Sequence, residues 1–181
     1  MTRHPLRLVA LAVGVAVAAL AVVLALQVGD DQLQTQPRSE LLGDGAPDFV
    51  VTTLDGEEIS LESLAGKAVV VNFWNSWCLP CKQEEPALKE FYERHRDEAD
   101  FAMVGIIRDD TKKAAGSAVD ERGIEWPMGW DPGGRAALDF GTRGQPETYA
   151  ITPDGLIAGT QYGPASVEGL ETLLAAARGQ R

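Results

Sequence analysis

The sequence predicts an α/β domain in which a central mixed β-sheet is flanked by helices. Continuous apolar runs at residues 69–74 and 101–107 have the length and composition of buried strands. The segment between them carries apolar residues at helical spacing, and this order of strand, helix and strand is typical of a right-handed parallel βαβ unit. Two further pairs of short apolar runs, each separated by an Asp-Gly turn, predict hairpins that add antiparallel strands to the sheet.

The individual elements follow from the same patterns. A helix is expected directly after Cys81, and a last amphipathic helix carries apolar residues from Val167 to Leu174. The remaining predicted elements are, in chain order, strands at 49–51 and 59–61 around Asp55-Gly56, helices at 114–122 and 135–140, and strands at 148–152 and 156–161 around Asp154-Gly155. The first of these strand pairs forms an N-terminal hairpin extension of the domain.

An apolar segment precedes the domain. Residues 8–26 contain no charged side chain, and at about 1.5 Å per residue a helix of this length reaches nearly 30 Å, close to the hydrocarbon thickness of a bilayer. Arg3 and Arg7 lie on its near side, which predicts a single transmembrane helix with the N-terminus in the cytoplasm and the domain outside. A cleaved signal peptide is the competing interpretation, although the candidate cleavage sites at 16–18 and 19–21 lie within the apolar run.

Composition divides the chain into three parts and limits its partners. We expect a signal-anchor segment at 1–28, a polar linker at 29–45 and one globular domain at 46–181. The 27 acidic residues outnumber the 16 basic ones and give a net charge of −11. Such a surface repels nucleic acid and anionic lipid head groups, so neither is expected as a partner.

Cys78 and Cys81 are the only cysteines, and they stand where the first buried strand ends and a helix begins. Unpaired N–H groups and the helix dipole stabilise a thiolate at such a position, and the thiolate is the form that attacks a disulfide. Cys78 is therefore the predicted nucleophile. Cys81, about one helical turn later, is predicted to resolve the mixed disulfide by attacking Cys78.

Other uses of a cysteine pair fit less well. A structural zinc site needs four ligands, and beyond the cysteines the chain offers only His4 and His95, so no metal is expected. Covalent haem attachment needs a histidine after the second cysteine, where Lys82 stands. A purely structural disulfide across so short a loop would constrain little chain entropy and would leave the flanking tryptophans unexplained. No cofactor is predicted.

Three features around the cysteines resemble the thioredoxin fold. Trp77 immediately precedes Cys78, Pro86 follows Cys81 by five residues, and residues 144–148 (Gly-Gln-Pro-Glu-Thr) stand just before the penultimate strand. The resemblance implies that the proline of this segment is a cis-proline facing the disulfide. An incoming peptide would pair with the backbone beside it. The resemblance thus implies a catalytic role for Pro146 and substrate docking by Trp77, Pro80, Gln145 and Glu147.

Residues 72–78, 131–139 and 144–151 together resemble the membrane-anchored CcmG/DsbE proteins and their TlpA/ResA relatives, and the likeness covers about residues 46–178. The resemblance implies a thiol:disulfide oxidoreductase that reduces apocytochrome c during cytochrome c maturation. It also implies a membrane electron donor of the CcdA/DsbD type, and a location on the outer face of the cytoplasmic membrane.

The chain departs from thioredoxin at Asn72, where thioredoxin has a buried aspartate. Glu84, in the position of the CcmG/ResA glutamate, is the candidate base for the Cys81 proton, provided that burial raises its pKa. A solvated charge on the first turn of the helix is the alternative. Glu147 is expected to tune the site or contact a partner, with a plain surface role as the alternative, and Trp74 is expected to pack in the core.

Two other functions stay open at this point. A DsbA-like thiol oxidase would use the same chemistry and fold in the opposite direction, because only the relative stability of dithiol and disulfide differs. A membrane-tethered binding module with a structural disulfide belongs to another class. A peroxidase is disfavoured because the related peroxiredoxins carry threonine where this chain has Asn75.

Overall fold

The computed structural model describes Ala10, residues 12–20, Val22 and residues 41–179. In the N-terminal part the described residues are helical, and the remainder of the predicted membrane segment lies outside the described residues. Among the described residues, no helix combines the length and the apolar character needed to cross a bilayer. Most of the predicted linker also lies outside them, but Gly43 donates a backbone hydrogen bond to Ile157, and Gly45 pairs with Leu156.

A seven-stranded mixed sheet forms the centre of the domain. Its order is β2-β1-β5-β4-β3-β6-β7, with β3, β4 and β5 parallel and the outer pairings antiparallel. The strands are β1 (Val50–Thr53), β2 (Glu58–Ser60), β3 (Ala68–Trp74), β4 (Phe101–Ile107), β5 (Met128–Trp130), β6 (Glu147–Ile151) and β7 (Ile157–Tyr162). The predicted βαβ unit and both predicted hairpins are confirmed.

Strand β3 is buried along its whole length because both faces of the sheet are covered. Val70 and Trp74 point into one core, which contains the cysteines and the long helix that follows them. Val71 and Phe73 point into the other core. This alternation follows from the two-residue period of a strand. The end of β3 therefore lies between the two cores, four residues before Cys78.

Four helices cover the sheet: α1 (Leu79–His95), α2 (Lys112–Arg122), α3 (Arg135–Asp139) and α4 (Val167–Ala177). Helix α2 begins at Thr111, whose hydroxyl accepts the Ala114 N–H, and α4 begins in the same way at Ser166. The buried carboxylate of Asp131 accepts the N–H groups of Ala136 and Ala137 in α3. The central mixed sheet flanked by helices is therefore the predicted arrangement.

Strand β5 is the strand that the sequence did not predict. It has only three residues, follows a proline and contains Gly129, so no apolar run marks it. A Cβ at Gly129 would lie 2.3 Å from Val51 Cγ2, which explains why glycine is needed there. Through β5 the N-terminal hairpin joins the sheet, since β1 pairs with it antiparallel.

Candidate active site

The two cysteines form a disulfide at the start of α1. Cys78 is the N-cap residue, and its sulfur accepts the Cys81 N–H at 3.1 Å. Pro80 stands in the first turn, where its missing N–H needs no partner. The geometry therefore places the sulfur of Cys78 at the helix N-terminus, where an anion is stabilised.

The loop before β6 lies against the nucleophile. The Gln145–Pro146 peptide bond is cis, as the resemblance implied. The carbonyl oxygen of Gln145 lies 3.6 Å from Cys78 Sγ. Pro146 is buried and Gln145 is half-buried, so the backbone beside the disulfide is the part of this loop that a peptide could reach.

Glu84 is buried beneath the disulfide, with only 1% of its surface exposed. Its Oε1 accepts a hydrogen bond from Asn72 Nδ2 at 2.9 Å, and its Oε2 accepts the Ala165 N–H at 3.0 Å. Asn72 also donates to Thr148 Oγ1 at 3.0 Å. Burial raises the pKa of Glu84 from 4.5 to about 7, against the two hydrogen bonds, which lower it. The interpretation of Glu84 as a solvated charge is wrong, and the condition set for its role as a base is met.

The sequence contains a signal for this burial. Cys81, Glu84, Leu88 and Phe91 are the buried residues of α1, and their spacing of three, four and three residues is that of one helix face. Glu84 therefore lies within the apolar stripe. A small cavity borders this face, and its lining comprises Asn72, Trp74, Cys81, Glu84, Glu85, Leu88, Arg122, Ile124, Trp126 and Met128.

The two tryptophans near the cysteines have different environments. Trp74 is buried, and its indole N–H points to Met128 Sδ at 3.1 Å, so its predicted core packing is confirmed. Trp77 is 62% exposed, and its neighbour Leu79 is 66% exposed. Together with exposed Pro80 they surround Cys78 with apolar surface. Substrate docking by Trp77 and Pro80 stays a prediction that this exposure favours.

Glu147 is buried, with 3% exposure, so the alternative of a plain surface role is wrong. Its Oε1 accepts the backbone N–H groups of Arg143 at 2.7 Å and Gly144 at 2.9 Å, and its Oε2 accepts the Tyr149 hydroxyl at 2.9 Å. Burial and the hydrogen bond to Glu147 raise the pKa of Tyr149, which keeps its hydroxyl a donor. A partner could reach this carboxylate only by displacing these donors, so direct docking by Glu147 does not fit the geometry.

Metal binding finds no support around this site. In the part of the chain that the structure describes, no group of three or more His, Cys, Asp or Glu side chains is arranged to hold a metal ion. The chemistry available is that of the cysteine pair, a buried carboxylic acid of raised pKa and an adjacent backbone carbonyl.

Comparison with known proteins agrees with this chemistry. The family model described as AhpC/TSA matches residues 42–160. Thiol-disulfide oxidoreductase ResA of Bacillus anthracis is 33% identical over 133 residues, which cover 74% of this chain and 76% of the relative. Thioredoxin-like protein YneN of Bacillus subtilis (strain 168) is 32% identical over 133 residues, covering 73% of this chain and 78% of the relative.

A solved structure extends the likeness to the fold. A Chlorobium tepidum protein assigned as thiol:disulfide interchange protein DsbE superposes with a TM-score of 0.69 and 27% identity, covering 75% of this chain and 96% of that one. Sequence and structure therefore select the enzyme over the binding module. The chain belongs to the AhpC/TSA family and, within its thioredoxin-like members, is a thiol:disulfide oxidoreductase of the ResA and DsbE type.

Proposed function

We propose that this protein is a membrane-anchored, extracytoplasmic reductant that keeps the haem-binding cysteines of apocytochrome c reduced during cytochrome c maturation. The observation that carries the proposal is buried Glu84, which follows Cys81 by three residues on α1 and accepts a hydrogen bond from Asn72. The cis-Pro146 loop, whose Gln145 carbonyl oxygen lies 3.6 Å from Cys78 Sγ, completes the site. This loop belongs to residues 144–151, one of the three segments that resemble the CcmG/DsbE and ResA proteins, and Glu84 stands in the position of the CcmG/ResA glutamate. The similarity to ResA supports the same proposal.

The reaction proceeds in two exchanges. The Cys78 thiolate attacks a substrate disulfide, forms a mixed disulfide and releases one substrate thiolate, which takes a proton from solvent. Cys81 then loses its proton to the Glu84 carboxylate and attacks the Cys78 sulfur, which releases the second substrate thiolate to take a proton from solvent. Two electrons pass to the substrate, and the Cys78–Cys81 disulfide remains. A membrane dithiol carrier of the CcdA/DsbD type would reduce it again.

The reduction potential of the Cys78/Cys81 pair tests the direction of electron flow. Full-length protein would be equilibrated in graded thiol and disulfide buffers, with the redox state read from tryptophan fluorescence. We expect a potential near or below that of thioredoxin, about −270 mV. A value near that of DsbA, about −120 mV, would contradict the proposal and assign the protein as an oxidant of exported proteins.

The proposed location rests on the apolar run at 8–26 with Arg3 and Arg7 before it. In intact, briefly reduced cells, a membrane-impermeant maleimide is expected to label the protein, which should stay with the membrane after an alkaline wash. The double variant Cys78→Ser/Cys81→Ser is the unlabelled control because the chain has no other cysteine. Labelling only after lysis would place the domain in the cytoplasm, and a shortened protein released by the wash would indicate a cleaved signal peptide.

A further inference from the structure

Residues 75–77, between β3 and the nucleophile, form hydrogen bonds with the loop that follows β4 and with the last residue of α2. Ser76 donates its N–H to Asp110 Oδ2 at 2.6 Å, and its carbonyl oxygen accepts from Arg122 Nη2 at 2.9 Å. The indole N–H of Trp77 donates to the carbonyl oxygen of Asp109 at 3.0 Å. These three bonds join residues 32 to 46 positions apart in the chain, so tertiary structure fixes both peptide groups that flank the Cα of Ser76.

Asp110 and Arg122, whose side chains bond to the backbone of Ser76, have further partners that fix their positions. The other oxygen of Asp110 accepts the N–H of Thr111, the residue that caps α2. Arg122 is the last residue of α2, and its Nη1 lies 3.6 Å from Glu85 Oε2 on α1. Lys89 on α1 donates to the Arg122 carbonyl oxygen and also pairs with Glu85. Asp110 and Arg122 thus connect the segment before the cysteines to both ends of α2.

The backbone at Asp109 supports the same arrangement. Its φ of 52° lies in the left-handed region, and Asp109 is the one non-glycine residue with a positive φ in the described part of the chain. Aspartate tolerates this region better than most residues, but the conformation is uncommon and concentrates at functional sites. The carbonyl oxygen of this residue is the acceptor for the indole of exposed Trp77.

We propose that Asp110 and Arg122 are positioning residues that clamp Ser76 and thereby hold the nucleophile Cys78 at the N-terminus of α1. Ser76 lies two residues before Cys78, whose sulfur must stay within 3.1 Å of the Cys81 N–H to benefit from the helix N-terminus. If the backbone of Ser76 moves, the sulfur of Cys78 loses its hydrogen bond from the Cys81 N–H. The inference rests on disulfide exchange at Cys78 and holds for either direction of electron flow.

The charges make the two roles of Asp110 separable. Asp109, Asp110 and Arg122 contact this segment directly. Behind them, Arg108 pairs with Asp109 and Glu85 of α1 pairs with Arg122, while buried Glu84 precedes Glu85 on the same helix. As a bare negative charge, Asp110 would oppose the thiolate, so its removal would lower the pKa of the reduced Cys78 thiol. As a clamp it favours the thiolate, so its removal would raise that pKa. The two roles therefore predict shifts of opposite sign.

The experiment titrates the Cys78 thiolate by ultraviolet absorbance in the reduced full-length protein. Asp110→Ala is expected to raise the pKa of Cys78 by about one unit. At a pH below that pKa, the fraction of Cys78 present as thiolate would then fall about tenfold. Arg122→Met is expected to act in the same direction. Arg122→Lys keeps the charge but loses the planar guanidinium group, so it should raise the pKa of Cys78 by less than Arg122→Met does. Asp120→Ala and Arg135→Met are the matched controls, because Asp120 is exposed on α2 and Arg135 pairs with Asp139 on its own helix.

A lowered or unchanged pKa of Cys78 in Asp110→Ala would overturn the clamp. So would an Arg122→Lys protein that matches the wild type while Arg122→Met does not, since charge alone would then explain Arg122. If Asp110→Ala does not fold, Arg122→Met and Arg122→Lys carry the test, because both leave the charge of Asp110 in place and both should raise the pKa of Cys78. A failed clamp leaves the measured reduction potential of the wild type, and hence the proposed function, unaffected.

Discussion

Replacing Cys78 by serine should abolish disulfide exchange, bringing turnover of a model disulfide peptide down to the rate measured without protein. The serine hydroxyl is not ionised near neutral pH and forms no disulfide, so neither exchange step can occur. Cys81 remains as a free thiol in this variant, but its N–H is the group that stabilises the other sulfur. Residual activity therefore measures how far Cys81 can attack by itself.

The Cys81→Ser variant is the matched control. It keeps the nucleophile and lacks the resolving thiol, so it should accumulate a mixed disulfide with the peptide, detected as a mass increase that dithiothreitol removes. Full turnover by Cys78→Ser would contradict the two-cysteine mechanism, and adducts that form through Cys81 in that variant would reverse the two assigned roles. The chain contains no third cysteine that could rescue either variant.

Solvent exposure does not distinguish the two cysteine residues. Cys78 and Cys81 are 4% and 5% exposed, nearly the same. The difference lies in their partners, because the sulfur of Cys78 caps α1 and lies beside the carbonyl oxygen of Gln145. Cys81 instead belongs to the buried stripe that contains Glu84. The roles thus follow from hydrogen bonding and position in the helix.

The elements that the sequence predicted best are those with one uninterrupted apolar signal. Strand β4 (Phe101–Ile107) has the predicted bounds, and β3 begins one residue earlier than predicted. Such strands are buried on both faces, so local composition determines them. Strand β5 is different because its place in the sheet depends on contacts with β1 and β4, and its three residues carry no pattern of their own.

Some residues of the candidate site could also be predicted from the sequence, whereas their partners could not. The cysteines and Pro146 stand in contiguous motifs, so they could be found from the sequence. The partners that complete the site are distant in the chain: Asn72 reaches Glu84 over 12 residues, and Ala165 reaches Glu84 over 81. No local pattern encodes such pairs. The sequence left open whether Glu147 is at the surface, because an acidic residue in a loop is usually solvated.

The stability of the oxidised protein should fall as pH rises from 4.5 to about 7, the range between the unfolded-state and folded-state pKa values of Glu84. Burial raises the pKa of Glu84 from 4.5 to about 7, so the folded state binds this proton more tightly than the unfolded state does. The free energy of unfolding therefore decreases with pH in the window between these two values, by about 3 kcal/mol in total, and then levels off. Denaturant unfolding at a series of pH values, with the disulfide intact, measures this decrease.

Glu84→Gln is expected to remove this part of the pH dependence, because glutamine does not titrate. Glu90→Gln on the same helix is the matched control, since its carboxylate is exposed and pairs with Arg94 one turn later. The difference between wild type and Glu84→Gln isolates the buried group from all other titrating residues. Equal slopes in both proteins would mean that Glu84 titrates near its ordinary value and is not effectively buried in solution.

The same substitution should separate the two exchange steps. A carboxylate whose pKa lies near 7 can accept the Cys81 proton at neutral pH, and general base catalysis of this kind contributes about a hundredfold or more. In Glu84→Gln we expect the first attack by Cys78 to keep its rate, whereas resolution of the mixed disulfide slows by about a hundredfold. Quenched-flow analysis should then show a long-lived adduct. A slower first attack with normal resolution would instead assign Glu84 to the electrostatics of Cys78, because only the resolving step requires a proton to leave Cys81.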